Sequence, residues 1–415
     1  MSLGYVLSRY PLLSETFILR EMWALERQGE RLRVYPLRRV RGPRHERVAT
    51  IAAPVWWAPW LALASHLYWL RRQPARYLST LAAVLWRNRS DANLLAGALA
   101  YWGKAVAIAR QMERDGVRHV HAHYATHPAL VAYIVHRLLG VPFSFTAHAH
   151  DIYCHRAMLA EKLRRARAVA AISEHNRELL AEAAPPGERE AARAKLHLVH
   201  CGIEVERYRE LAERRWQAPG PAPGPLRVLA VGSLQPYKGH TYLIAACGRL
   251  RAAGDGFACR IVGAGELRRA LERQRDRLGL GEAIELTGPA TEGEVMAALA
   301  WAQVLAMPSI VERSGKMEGI PVALMEAMAA GVAVVASRLP GIAELIESGR
   351  DGLLVPAGSA EALAEALGVL RDAAWRERLG RSALLRVEAG FELQSNVRRL
   401  RQLWQPAGAP VGAAT

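Results

Sequence analysis

The 415-residue chain predicts an α/β protein built from two doubly wound parallel sheets that face a cleft. Strand-like and helix-like segments alternate through both halves, and the strand candidates are short apolar runs of the kind covered on both faces. Between the halves lies Ala218–Pro225, APGPAPGP, a Pro/Gly-rich stretch without a core-forming residue.

In the first half the strands fall at Leu3–Leu7, Arg33–Tyr35, His119–His123, Phe143–Thr146 and Ala168–Ile172, with helices over Glu15–Gln28 and Pro128–Leu139. The second half repeats the rhythm. Its strands are Arg227–Val231, Cys259–Val262, Ile284–Thr287, Val304–Met307 and Val332–Ala336, and its first helices cover Thr241–Ala252 and Leu267–Arg277. Pro321 suits the first turn of a further helix over Val322–Ala330, because a missing N–H costs nothing there, and Gly331 ends it. These elements predict a first domain over 1–205, a linker over 206–225, a second domain over 226–388, a last helix over 389–405 and a flexible tail over 406–415.

Composition bounds the function. Four widely spaced cysteines (Cys154, Cys201, Cys247 and Cys259) frame neither a zinc site nor a disulfide scaffold and favour a reducing cytosol. The N-terminus has no basic head before an apolar core, and no apolar run is long enough to cross a membrane, so a cytoplasmic protein is expected. A net charge of +16 calls for an anionic partner: nucleic acid, a membrane surface or a phosphorylated substrate. Nucleic acid is disfavoured because no helix-turn-helix, zinc finger or stacked-aromatic motif occurs. In residues 54–86, Trp56, Trp57, Trp60, Tyr68 and Trp69 stand beside Arg71, Arg72 and Arg76. Such a segment suits an anionic membrane interface or, equally, a helical pair with its tryptophans in the core.

Several chemistry-bearing groups fall at strand ends. Gly232–His240, GSLQPYKGH, offers glycines for close approach and Lys238, one of only five lysines, for a phosphate. Gly263-Ala264-Gly265 follows the next strand, but Arg268 occupies the third glycine place of a dinucleotide fingerprint, which argues against an oxidoreductase. Glu318 lies before the helix opened by Pro321 and Glu326 lies within it, so the turn could cradle a diphosphate while the acids take hydroxyls; two solvated glutamates are the plainer reading. Ala147-His148-Ala149-His150-Asp151 places imidazoles and a carboxylate at a strand end. With no second ligand cluster at matching spacing, a substrate-binding role for His148 is preferred to a metal. His121, His123 and His127 read as structural.

The blocks VGSLQPYKGHTYLI, RIVGAGELRRAL, AQVLAMPS, EGIPVALMEAMAAG and PGIAELIESGRDGLLV, in this order, resemble glycosyltransferase family 4, retaining enzymes of the GT-B fold. In the first half YPLLSETFILREMWAL, HVHAHYA, FSFTAHAHDIY, AISEHNRELL and HCGIEVERY are similar to the exopolysaccharide branch of the colanic acid and amylovoran type. The resemblance implies transfer of a sugar from a UDP- or GDP-linked donor, with retention and with no cofactor or divalent metal, to a glycan or polyprenyl-linked acceptor. Glu318 would lie near the donor sugar hydroxyls, Glu326 on the ribose, and Lys238 with the backbone of Gly319, Ile320, Pro321 and Val322 on the diphosphate. Gly232, Ser233, Gly263 and Gly265 would complete the donor site. His148, Glu318 and Lys238 would be the catalytic groups, and Ser14, Glu15, Thr16, His148 and Asp151 would line the acceptor side. The last helix would cross back to the first domain. The enzyme would work in the cytoplasm, on the inner face of the membrane, and not on nucleic acid. One departure stands out: the family usually has arginine after the first glycine of the phosphate loop, and this chain has Ser233. Lys316 or a nearby arginine would have to supply the charge; otherwise the donor site is weakened, or the chain is a non-catalytic scaffold that binds nucleotide sugar.

Overall fold

The computed structural model describes residues 2–10, 15–40, 59–89, 92–153, 156–217 and 224–404. The chain forms two compact units, Met1–His200 with Gln394–Thr415, and Cys201–Leu393.

The first unit is built on a parallel sheet of β1 (Ser2–Tyr10), β2 (Arg31–Arg39), β3 (His119–His123), β4 (Phe143–Ala147), β5 (Ala168–Ala171) and β6 (Leu196–Leu198), in the order β2-β1-β3-β4-β5-β6. Because β1 lies between two neighbours and under helices, Leu3, Tyr5, Val6 and Leu7 are all buried, which a continuous apolar run anticipates. Pro36 is tolerated in β2 because that strand is an edge. The strand order reverses between β1 and β3, and the loops leaving their carboxyl ends open the crevice where such sheets hold ligands.

Three helices, Pro59–Arg72, Pro74–Asn88 and Ala92–Arg114, are inserted between β2 and β3. Here the structure decides, for Trp69, between the two readings of this segment. Trp69 is fully buried and its Nε1–H donates to the Val106 carbonyl at 3.2 Å, so this indole is core and cannot meet a membrane. Tyr68 hydrogen-bonds Glu113 at 2.7 Å. Trp56 and Trp57 lie outside the described residues.

The second unit carries β7 (Leu226–Val231), β8 (Phe257–Val262), β9 (Ile284–Gly288), β10 (Val304–Met307), β11 (Ala333–Ser337) and β12 (Leu353–Val355), all parallel, in the order β12-β11-β10-β7-β8-β9. This is the dinucleotide-fold order, with its reversal between β7 and β10.

The expected linker over 206–225 is corrected. Val205–Gln217 is a helix that buries Val205, Tyr208 and Ala212, and the chain passes between units at His200 and Cys201 instead. Its charged outer face hides that stripe from a reading of composition. The last helix is Leu393–Gln402; residues from Gln394 onward belong to the first unit, where Trp404 Nε1–H donates to Ser144 Oγ at 3.1 Å. The tail expected over 406–415 lies outside the described residues.

Candidate active site

In the second unit the loops after β7, β8 and β10 gather at the strand reversal. Gly263 carries a positive φ of 153°, and a Cβ on it would stand 1.9 Å from the Gly232 carbonyl; on Gly265 it would stand 2.5 Å from the Leu234 carbonyl. Leu234 N–H donates to the Ala264 carbonyl at 2.9 Å. The two loops therefore stack backbone on backbone, and it is this packing that demands the glycines. Gly239, at φ 68°, is forced likewise: its Cβ would lie 1.8 Å from the Pro308 carbonyl.

Lys238 folds back over Gly232, whose missing Cβ would be 3.3 Å from the lysine Cδ, and its ammonium forms an ion pair with Glu318. Burial pulls the Lys238 pKa down, but Glu318 and Tyr237 outweigh it, and the net shift is upward. Lys238 is thus a fixed cation. Ser233 offers only a hydroxyl, hydrogen-bonded to Tyr237. Lys316, however, reaches the same loop: its Nζ donates to Gln235 Oε1 at 2.7 Å and lies 4.5 Å from the Tyr237 ring centre. A second lysine thus reaches the loop that carries Ser233.

Glu318 and Glu326 are both buried, which removes the reading of two solvated acids. The helix is Val322–Ala329, with Pro321 as its N-cap and no capping side chain. Gly341 supports the turn from beneath, since a Cβ there would fall 2.5 Å from the Gly319 carbonyl. Glu326 Oε1 accepts from Tyr208 at 3.0 Å. Lys316 was the substitute the sequence reading named, whereas Tyr208, Tyr237 and His240 were given no role in it. His240 closes the same quoted loop, two residues after Lys238, and was the most legible of them; burial, then Lys238, push its imidazole down to about 4.

In the first unit His148 leaves the end of β4 and is buried. Its ring stacks on His123 (centroids 5.3 Å apart, planes at 26°) and lies 4.7 Å from Tyr124 and 4.9 Å from Phe17. Burial, then His123, hold its pKa well below the usual histidine range. Tyr124 takes a left-handed backbone with φ 79°, an uncommon choice for a bulky residue, and its hydroxyl donates to Glu15 Oε1 at 2.9 Å. Burial raises the Glu15 pKa, with the Tyr124 bond opposing it. Thr16 opens the helix Thr16–Arg27, and Ser14 lies outside the described residues.

Asp151 is buried, and its carboxylate accepts from the backbone N–H of His148 at 3.0 Å and of Ala125 at 2.6 Å. It clamps the ends of β3 and β4 together. Beneath it Lys162 is buried, donates to the Ala125 carbonyl, and is pushed down to about 7 by burial, with Asp151 opposing. Between pH 7 and its ordinary value near 10.5, the unfolded chain holds a proton that the folded chain releases. Stability should therefore rise with pH from about 7, by up to ~1.4 kcal/mol per unit. Urea unfolding at pH 7.5 and 9 checks this: the rise of about 2 kcal/mol should vanish in Lys162→Met.

Glu21, His121 and His123 bring ligand atoms within 4.8 Å of one another, a grouping invisible to local spacing because Glu21 is remote in sequence. Each imidazole nitrogen already has a partner. His121 bonds Ser144 (2.8 Å) and Thr146 (3.0 Å), while His123 bonds His148 (3.1 Å) and Glu21 (2.9 Å). The cluster is a closed hydrogen-bond network.

The family described as "Glycosyl transferases group 1" matches residues 225–372, the span of the stacked loops and the Glu318–Glu326 turn. WcaL of Salmonella typhimurium (strain LT2), assigned to colanic acid biosynthesis as a glycosyltransferase, is 31% identical over 392 residues, which cover 88% of this chain and 90% of WcaL. The amylovoran biosynthesis glycosyltransferase AmsK of Erwinia amylovora is 38% identical over 174 residues, covering 42% of this chain and 41% of AmsK. Among solved structures, Anabaena Alr3699/HepE in complex with UDP and glucose superposes with a TM-score of 0.70 over 97% of this chain and 98% of that one, at 16% identity, a likeness of fold alone. The two Rossmann-like sheets are those of the GT-B fold, and the chain belongs to the glycosyltransferase family that includes the colanic acid protein WcaL.

Proposed function

We propose that the protein transfers a sugar, with retention of configuration, from a UDP- or GDP-linked donor to a glycan or polyprenyl-linked acceptor during exopolysaccharide or cell-surface polysaccharide assembly. The observation that carries this reading is the meeting of Lys238, Lys316 and Glu318 at the β7/β10 reversal, below an uncapped helix start. The departing diphosphate gathers negative charge, and two ammonium groups and free N–H groups would stabilise it there. Glu318 would take the hydroxyls of the donor sugar and Glu326 the ribose, and in the first unit the neutral His148 would take a sugar hydroxyl. The assignment of that charge to protein groups makes turnover indifferent to a metal chelator. The resemblance to colanic acid and amylovoran enzymes supports the polysaccharide setting.

A thermal-shift screen with UDP- and GDP-sugars tests the donor. A ligand at a hundred times its Kd should add about 2.7 kcal/mol of stability. A chain that is stabilised but neither hydrolyses nor transfers any donor would be the scaffold instead.

We also propose that the helical hairpin 59–89 rests on the inner face of an anionic membrane. It carries five arginines and no Asp or Glu. Leu63, Leu67 and Leu70, spaced i, i+4, i+7, are 68%, 46% and 38% exposed, and Leu78 and Trp86 are also bare. Apolar side chains ringed by guanidinium groups suit a bed of acyl chains under phosphates. No described helix is long and apolar enough to span. Flotation with phosphatidylglycerol vesicles should carry the protein up, and Leu63→Gln with Leu67→Gln should lower binding about tenfold or more, since each buried leucine contributes ~1.5–3 kcal/mol. Equal flotation of wild type and variant would remove the idea.

A further inference from the structure

We infer that Glu21 acts through His123 to set the tautomer of His148, so that this imidazole presents a bare Nδ1, a hydrogen-bond acceptor, to a sugar hydroxyl. Only the last clause rests on the function proposed above; the tautomer itself follows from three hydrogen bonds within the first unit.

Glu21 Oε1 faces two donors. Tyr5 hydroxyl lies 2.7 Å away and His123 Nε2 lies 2.9 Å away. Tyr5 keeps its proton, because burial, then Glu21, raise its pKa well above the usual range. A carboxylate can only accept, so His123 carries its proton on Nε2. In the neutral ring Nδ1 then holds a lone pair, and it sits 3.1 Å from His148 Nε2. That contact requires a proton on His148 Nε2, which leaves Nδ1 of the same ring bare. The competing arrangement puts a full imidazolium at His123, whose side chain is wholly buried, against the rings of His121 and His148. Burying a full charge among these rings carries a desolvation cost. His121 cannot intervene, since both its nitrogens are held by Ser144 and Thr146.

The ring is also fixed in place. His148 is held at its backbone by Asp151 and Asn176 and at its faces by Tyr124 and Phe17, so the tautomer is the remaining degree of freedom that decides what it offers a ligand. Glu21 and His123 are positioning residues in the sense of the acid behind a catalytic imidazole. A bare Nδ1 accepts from a sugar O–H; a protonated one would ask for a lone pair and tolerate a different hydroxyl geometry.

Long-range ¹H–¹⁵N correlation of the ¹⁵N-histidine-labelled protein reads this directly, with the His148 signal assigned by its loss in His148→Gln. The expected wild-type pattern is a neutral His148 protonated on Nε2 alone. Glu21→Gln retains an acceptor oxygen and should keep that pattern. Glu21→Leu and His123→Phe remove the lock and should give mixed tautomers, with kcat lower by about tenfold, the worth of one hydrogen bond. A wild-type His148 protonated on Nδ1, an imidazolium at His123, or an unchanged His148 pattern in Glu21→Leu would each overturn the inference. Because the spectra need no donor, failure of the tautomer lock and failure of the glycosyl-transfer reading are told apart.

Discussion

Replacing Lys238 with alanine is expected to weaken binding of the free nucleoside diphosphate roughly 30-fold or more and to lower kcat/KM by ~10²–10³. The lysine is the partly buried cation of the loop after β7, and its pairing with Glu318 raises its pKa, so it stays charged through the working range. The same ion pair gives Glu318→Gln an opposite signature. Removing the acid releases the ammonium, so affinity for the nucleoside diphosphate should hold or rise while turnover of the sugar nucleotide falls, because the sugar hydroxyls lose their acceptor. Calorimetry with UDP and GDP, beside initial rates, separates the two roles. Equal loss of diphosphate binding in both variants would mean that the pair is structural and that the phosphate lies elsewhere. Lys316→Ala should cost less than Lys238→Ala, since Lys316 is held by a neutral amide and the Tyr237 ring.

Gly263→Ala should lower unfolding stability by about 2–4 kcal/mol and, with it, donor affinity. The added methyl would enter the Gly232 carbonyl at 1.9 Å, and backbone cannot swing aside as a side chain can. The loop that positions Lys238 must therefore move, and a displacement of about 1 Å near reacting groups can cost ~10² in rate. Gly254→Ala supplies the contrast: its φ is also positive, at 82°, but nothing lies within 4 Å, so it should show the strain of a left-handed backbone alone, about 1–2 kcal/mol. Differential scanning of both variants checks the contrast. Equal destabilisation would show that loop stacking contributes nothing beyond backbone strain.

The sequence reading reached the elements whose physics is local. Short apolar runs gave β3, β4, β8 and β10 nearly to the residue, since strands buried on both faces leave little choice of composition. Pro321 and Gly331 bracketed a helix because each has one conformational role there. It failed where the informative residues were diluted. Val205, Tyr208 and Ala212 form a stripe in a helix that is otherwise charged, beside a Pro/Gly run that drew attention to itself. For Trp69 the sequence left interface and core equally open, and the structure decides it: the indole turns inward while Leu63, Leu67 and Leu70 turn outward.

By itself the sequence determined the two-sheet fold, the family, and the residue types that could handle a sugar nucleotide. These depend on periodicity, turn chemistry and motif order, which are written along the chain. Only the tertiary structure decided what those groups do to one another. It put Lys316 beside Tyr237, tied Asp151 to the backbone N–H groups of His148 and Ala125, and joined Glu21 to His148 through His123. The reason is physical: hydrogen bonds and ion pairs fall off within a few ångströms, and it is the strand order of each sheet, not separation along the chain, that brings such groups within reach.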